Sequence, residues 1–128
     1  MTSATVYLPW PDRRLSPNAR IHWSHLSRAK KAAKRTAYYT ALEAGLSKID
    51  TDTISVKVSF FPPDRRPRDT DNMLASCKAA LDGISQAIGI DDSQWNLSIA
   101  PRGPVEKEGM VKVELEWTAR DERQEDAA

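Results

Sequence analysis

The chain has 128 residues, a formal net charge of +1 and a single cysteine. This length predicts one domain, and one cysteine excludes an internal disulfide. Because no run of 18 apolar residues and no secretory signal pattern occurs, we expect no membrane span and a cytoplasmic protein.

The small net charge hides an uneven distribution. Residues 13–35 contain eight Lys or Arg and no Asp or Glu, whereas residues 119–128 contain four acids and two bases. A concentrated basic region is typical of a nucleic-acid-binding surface. The polar, charged residues 119–128 are predicted to form a disordered tail, which leaves residues 1–118 as the single predicted domain.

The chain begins with a predicted strand at residues 4–10. Pro9 and Pro11 either end this strand or place it at a sheet edge. The following loop, residues 11–21, carries side chains that suit a phosphate backbone: Arg13, Arg14, Asn18 and Arg20. The same loop is equally consistent with an ordinary exposed connection.

A first helix is predicted from Ser24, a suitable N-cap, to about Ala44, before Gly45. Its small apolar residues keep helical spacing and should face the sheet. The basic residues that line one side are Arg28, Lys31 and Arg35. Such a side is often only solvated, but the lack of acids before Glu43 favours contact with a nucleic-acid backbone.

The clearest predicted strand covers residues 53–61, where apolar and polar side chains alternate. Pro62 and Pro63 end it abruptly. The segment DRRPRDTDN, residues 64–72, therefore follows a well-anchored strand, which is a place where a functional site can be held rigidly.

Residues 64–72 combine phosphate-binding side chains with closely spaced carboxylates. The guanidinium groups of Arg65, Arg66 and Arg68 suit phosphate oxygens. Asp69 and Asp71 follow, and a divalent cation such as Mg²⁺ would relieve their mutual repulsion. This combination predicts phosphodiester chemistry. The alternative is a solvated loop in which Asp69 or Thr70 caps the next helix.

One continuous amphipathic helix is predicted over residues 70–88, with Cys77 as a small core residue. On an uninterrupted helix, Asp71, Lys78 and Asp82 lie within about 40° of one another. Lys78 and Asp82 would form an i,i+4 ion pair, or Lys78 would reach a scissile phosphate.

The remaining chain predicts two more strands. Asp91 and Asp92 lie in a tight connection where a third carboxylate would complete a metal site, although paired aspartates also serve turns. A strand near residues 97–99 follows, then a hairpin connection at residues 101–109 and a last strand at residues 111–117. The order β-α-β-α-β-β predicts an α+β domain with a four-stranded mixed sheet and helices packed on it.

Five segments carry a further resemblance: LPWP at 8–11, SPNARIHW at 16–23, PDRRPRDTDN at 63–72, LDG at 81–83 and GIDDSQW at 89–95. Together they resemble the RusA family of Holliday junction resolvases, which are crossover junction endodeoxyribonucleases of bacteria and their phages. The resemblance spans almost the whole domain. It implies a homodimer of small α/β subunits that cuts four-way or other branched DNA with Mg²⁺ or Mn²⁺ in recombination and repair.

The resemblance also implies which residues act. Asp69, Asp71 and one of the pair Asp91 and Asp92 correspond to the metal-binding catalytic acids, and Asp92 matches the better of the two positions. Lys78 resembles the family's catalytic lysine.

The position of Lys78 departs from some members, in which the lysine lies one helical turn after the second acid. Here that position is Ala75, and Lys78 lies seven residues after Asp71. Positions i, i+4 and i+7 share a helix face, so Lys78 would point the same way from one turn further along. The expected activity is Mg²⁺-dependent, structure-selective cleavage of branched DNA. The alternatives are a non-catalytic junction-binding protein and a less selective nuclease for flaps or forks.

Overall fold

Residues 1–120 are described by a computed structural model, in which three helices lie against a four-stranded sheet. The strands are β1 (Thr2–Pro9), β2 (Ile54–Phe61), β3 (Trp95–Ile99) and β4 (Met110–Trp117). The helices are α1 (Trp23–Glu43), α2 (Thr70–Ser76) and α3 (Lys78–Ile88), and short 3₁₀ turns occupy Arg13–Leu15 and Asp92–Gln94. The predicted α+β class is confirmed.

The sheet is mixed, as predicted, and its strand order is β1-β4-β2-β3. β4 runs antiparallel to both β1 and β2, and β3 runs parallel to β2. β1 lies at an edge, which is one of the two outcomes expected from its prolines. β2 lies inside the sheet, between β4 and β3, and its alternating apolar side chains face the core.

The core lies between the helices and one face of the sheet. A row of β-branched residues crosses that face in register, from Val6 through Val113 and Val58 to Ile99. Helix residues such as Ala37 and Ile84 are fully buried in the same cluster. The two helices α1 and α3 therefore form a single layer over the sheet.

The N-cap of helix α1 lies two residues before the predicted N-cap, Ser24. His22 is the N-cap, and its ring Nδ1 accepts a hydrogen bond from the backbone N–H of Ser24 at 3.2 Å. The His22 imidazole therefore caps the helix, a role that was predicted for the Ser24 hydroxyl. At the other end, Gly45 adopts φ +90°, a left-handed conformation that favours glycine.

The predicted single helix over residues 70–88 is wrong, because the helix breaks at Cys77. Here the backbone has φ −93° and ψ −3°, and the Cys77 N–H bonds the carbonyl of Leu74 in a tightened turn. One residue earlier, the Ser76 hydroxyl donates to the carbonyl of Asn72 at 2.9 Å. A hydroxyl that bonds back in this way bends helices.

Cys77 itself is buried at the break, as the sequence predicted. Burial raises the pKa of its thiol to about 12. The thiol is therefore protonated at neutral pH and packs as a small apolar group.

The predicted hairpin between the last two strands is also wrong, since β2 lies between β3 and β4. The connection instead crosses the end of β2, where Ala100 N–H bonds Val58 O and Gly103 N–H bonds Phe60 O, each at 2.9 Å. These bonds satisfy backbone groups that β3 is too short to reach.

Residues 121–128 lie outside the described residues, so the disordered tail stays a prediction for them. Arg120 is described, and its Nε donates to Asp52 Oδ1 at 3.0 Å. Its backbone N–H also bonds the carbonyl of Asp50 at 3.1 Å. In the described part of the chain, each helix is too short or too polar to cross a membrane.

Replacing Gly83 with alanine should destabilise the fold. A Cβ at Gly83 would lie 2.2 Å from the carbonyl oxygen of Lys34 and 3.1 Å from the Cβ of Ala37, where α3 crosses α1. Overpacking of this kind costs about 1–3 kcal/mol, which exceeds the gain of up to about 1 kcal/mol for Ala over Gly in a helix. Urea unfolding measures the difference.

The matched control is Gln86→Ala at an exposed position of the same helix. It should change the free energy of unfolding by no more than about 0.5 kcal/mol. A Gly83→Ala protein as stable as the parent would contradict the close helix contact.

Candidate functional site

Arg68 holds the segment after β2 in place. Its guanidinium bonds both the carboxylate of Asp64, at 2.9 Å, and the Asp64 carbonyl, at 3.1 Å. It also lies over the Trp10 ring, 5.4 Å from the centroid. Only 14% of the Arg68 side chain is exposed. Although Arg68 was predicted to contact DNA, its side chain is engaged by the protein, and no local sequence pattern predicts its stacking on the distant Trp10.

The four-residue sequence Pro-Asp-Arg-Arg occurs twice, at residues 11–14 and 63–66. In both copies the aspartate accepts the backbone N–H two residues later, at 2.8 Å in the first and 3.0 Å in the second. The side-chain hydrogen bond from Arg14 lowers the pKa of Asp12, and the backbone N–H of Arg66 lowers that of Asp64. The repeated sequence is therefore a signal from which two similar turns could have been predicted.

The two Pro-Asp-Arg-Arg turns border one open cleft of about 580 Å³, which we call the arginine cleft. Five residues predicted to bind DNA or metal line it: Arg13, Asn18, Arg66, Arg68 and Asp69. Arg13 and Arg66 are exposed in this cleft. The structure therefore brings the loop before α1 and the loop before α2 together, although 52 residues separate the two turns.

Asp69 caps helix α2. Its Oδ1 accepts the backbone N–H of Asp71 at 2.8 Å, and its carbonyl accepts the N–H of Met73 at 3.0 Å. The capping role considered as an alternative is thus confirmed. Capping engages Oδ1 of Asp69, and the second carboxylate oxygen can still accept a ligand.

A second open cleft, of about 710 Å³, lies beside the first, and we call it the lysine cleft. Its charged lining residues are Arg14, Lys30, Asp71, Lys78 and Asp82. Lys78 Nζ bonds Asp82 Oδ1 at 3.2 Å, which confirms the predicted i,i+4 pair. The same ammonium also pairs with Asp92. Lys78 therefore bridges two carboxylates at the edge of a cleft that Asp71 also lines.

The two aspartates of the 91–92 pair have different partners. Asp91 caps the following 3₁₀ turn by accepting hydrogen bonds from the N–H and hydroxyl of Ser93, and the hydroxyl bond lowers its pKa. Asp92 turns toward Lys78, and its hydrogen bond is the main reason that the pKa of Lys78 is raised. Of the two, Asp92 is the aspartate whose carboxylate pairs with Lys78, and its metal-binding role stays a prediction.

Asp69, Asp71 and Asp92 offer carboxylate oxygens, which are the donors that Mg²⁺ prefers. Within residues 1–120, no three Asp, Glu, His or Cys side chains lie close enough to hold an ion together. The predicted three-carboxylate cage is therefore not assembled in this arrangement. Mg²⁺ is commonly bound by one or two carboxylates with waters and substrate phosphates, so Asp69 and Asp71 fit this ion in donor type and number.

The other predicted DNA-binding residues lie away from both clefts. Arg28, Lys31 and Arg35 are exposed on α1, and Arg20 and Arg65 are exposed in loops. None of the five lines either cleft as described for residues 1–120. Three of them, on α1, form a separate basic stripe. Arg35 also lies over the Tyr39 ring, 5.9 Å from its centroid.

Comparison with known proteins gives a relative but no activity. No family model matches the chain. A protein of Xylella fastidiosa (strain Temecula1 / ATCC 700964), named only as an uncharacterized protein, is 45% identical over 94 residues. The matched region is 71% of this chain and 61% of the relative's length.

The contacts of Lys78 predict a ranking of variants. Asp92→Asn should lower the pKa of Lys78 more than Asp82→Asn, because the Asp92 hydrogen bond is the larger cause of the raised value. Asp91→Asn is the matched control and should leave it nearly unchanged. Titration of the lysine side chain by heteronuclear NMR measures all three values.

The sign of the pH effect follows from the raised pKa. The ion pairs of Lys78 stabilise the fold fully below its ordinary pKa of 10.5, and this contribution is lost as the pH rises through the higher folded value. A larger fall of the Lys78 pKa in Asp91→Asn than in Asp92→Asn would show that the two side chains have been assigned the wrong way round.

Proposed function

We propose that this protein is a structure-selective, Mg²⁺-dependent endonuclease for branched DNA, of the kind that the RusA family represents. The observation that carries the proposal is the double ion pair of Lys78 with Asp82 and Asp92, beside a cleft lined by Asp71. Carboxylates in this cleft can hold a divalent cation, while Arg14, Lys30 and Lys78 supply positive charge beside them. That arrangement favours a divalent cation and a phosphate ligand.

The chain's own residues have distinct tasks in this proposal. Asp69 and Asp71 hold the cation at the start of α2, and Asp92 joins them or orients Lys78. When bound, the cation activates water and stabilises charge on the scissile phosphate. Lys78, held between Asp82 and Asp92, keeps a positive charge at neutral pH and stabilises charge on the leaving oxygen.

The arginine cleft and the stripe on α1 would hold the DNA backbone. Arg13 and Arg66 project into the cleft, while Lys31 lies on the outer side of α1. Contacts to phosphates position DNA without reading its sequence, so selectivity would come from the shape of the branched substrate.

A homodimer follows from this function rather than from any contact within residues 1–120. A four-way junction has approximate twofold symmetry, and its resolution requires two matching cuts, while one chain carries one acidic cluster. A C₂ dimer is the commonest way to repeat a site at a fixed distance. Light scattering should therefore give a mass near twice 14.3 kDa, and a monomeric mass at micromolar concentration would contradict the dimer.

A second function, non-catalytic binding of branched DNA, is favoured by one observation. Asp69 and Asp91 both cap helical turns, so two of the acids have structural tasks. Such a protein would keep its basic surfaces and bind junctions without cutting them in any divalent cation. A third possibility, a less selective flap or fork nuclease, differs only in its preference within a panel of DNA substrates.

Asp92→Asn should abolish junction cleavage far more completely than Asp91→Asn. The reason is that Asp92 contacts Lys78, whereas Asp91 faces Ser93. Junction binding, measured by anisotropy without divalent cation, should be retained in both variants because neither change adds bulk. Equal cleavage by Asp92→Asn and the parent protein would remove Asp92 from the site.

Lys31→Ala should flatten the salt dependence of DNA binding, because each lost phosphate contact reduces the log–log slope by about 0.9. Arg68→Ala is the informative comparison, since Arg68 is engaged by Asp64 and Trp10. It should lower the free energy of unfolding while changing the slope less. An unchanged slope in Lys31→Ala would place the α1 stripe away from the DNA.

A further inference from the structure

Trp23 is an exposed tryptophan at a position that the nuclease proposal does not use. Its side chain is 74% exposed, whereas Trp95 is buried and Trp10 and Trp117 are partly buried against the core. Exposing a whole indole sacrifices the favourable burial that the largest aromatic side chain offers. Tryptophan is enriched at surfaces that contact partners, because its ring is apolar and its N–H can form a hydrogen bond.

The start of α1 holds the indole in place. Trp23 is the first residue of the helix, and the His22 cap fixes the helix start through the N–H and hydroxyl of Ser24, at 3.2 and 2.7 Å. The His22 and Trp23 rings lie 5.4 Å apart, with 34° between their planes. The helix is anchored in turn by its contact with Gly83 of α3. The exposed ring is therefore presented on a rigid element.

The charges around Trp23 indicate what it contacts. From Trp23 to Leu42, α1 carries five Lys or Arg and no acid, and two of them, Lys30 and Lys34, lie within about 20° of Trp23 around the helix axis. Two residues, one on either side of Trp23 in the chain, line the lysine cleft: Ile21 and Leu26. An aromatic ring beside a positively charged track is the combination that binds exposed nucleobases.

We propose that Trp23 stacks on an unpaired or unstacked nucleobase of the DNA. The inference rests on the proposed function and deepens it. Bases inside an intact duplex present no free face, so a stacking indole selects DNA in which pairing is interrupted, such as a branch point. Trp23 would then supply selectivity for branched DNA, while the basic stripe supplies affinity for any backbone.

Binding of fluorescein-labelled DNA without divalent cation tests this role. The substrates are a four-way junction, a single strand and a duplex. Trp23→Ala should weaken binding to the junction and to the single strand by roughly five- to 150-fold, the range for loss of one base–aromatic stack. Binding to the duplex should change less than twofold. Trp23→Phe, which retains a ring, should recover most of the loss.

Tyr39→Ala is the matched control, because Tyr39 is also exposed on α1 but lies about 24 Å further along the helix axis. It should leave the preference for the junction unchanged. Tryptophan emission gives an independent readout: junction DNA should quench the parent protein's emission, and Trp23→Phe should lose the part of this quenching that comes from Trp23 and keep the part from Trp10 in the arginine cleft.

The outcomes separate this inference from the proposed function. If the parent protein does not prefer junction DNA to duplex, the proposed function fails. If it prefers the junction and Trp23→Ala prefers it equally, the stacking role fails. A loss of the same size in Tyr39→Ala also defeats it. If Trp23→Ala instead changes the mass in light scattering from dimer to monomer, a second copy of the chain covers the indole and the inference is wrong.

Discussion

The candidate site depends on the buried break between α2 and α3. Cys77 is packed in the core at this break, so the two helices that meet there are both tied to the sheet. The break places Asp71 at the start of one helix and Lys78 at the start of the next. A continuous helix would fix these side chains by helical spacing alone, whereas the break lets Lys78 meet Asp92 from the following turn.

The contacts of Lys78 are hard to explain as a source of stability. Its side chain is 60% exposed, and exposed ion pairs typically contribute only about 0–1 kcal/mol. The ammonium nevertheless satisfies two carboxylates at once in a cleft where Asp71 adds another. Because the fold gains little stability from these contacts, we propose that the cluster serves a bound cation and a phosphate substrate.

The two Pro-Asp-Arg-Arg turns show a different use of charge. Each aspartate accepts a backbone hydrogen bond within its own turn, and Arg68 contacts Asp64 and Trp10. Arg13 and Arg66 line a common cleft, although the Nε of Arg66 also pairs with Asp64 at 3.3 Å. Internal ion pairs thus give the loops their shape, and the residual positive charge is left at the surface where a polyanion can reach it.

Features set by local spacing could be predicted from the sequence, and features set by distant partners could not. The alternating residues of β2 and the pairing of Lys78 with Asp82 follow from periods of two and four residues. The helix break is accompanied by a hydrogen bond from the Ser76 hydroxyl to the Asn72 carbonyl. A serine at this position does not by itself predict that bond. The pairing of Lys78 with Asp92 and the position of β2 between β3 and β4 depend on tertiary packing.

The most direct measurement is cleavage of a mobile four-way junction and of a linear duplex of the same sequence, each with and without Mg²⁺. The account predicts paired, symmetric cuts in the junction that require the cation, with the duplex left intact. Tight junction binding with no cleavage in Mg²⁺ or Mn²⁺ would contradict the nuclease assignment. Equal cutting of junction and duplex would contradict its selectivity for branched DNA.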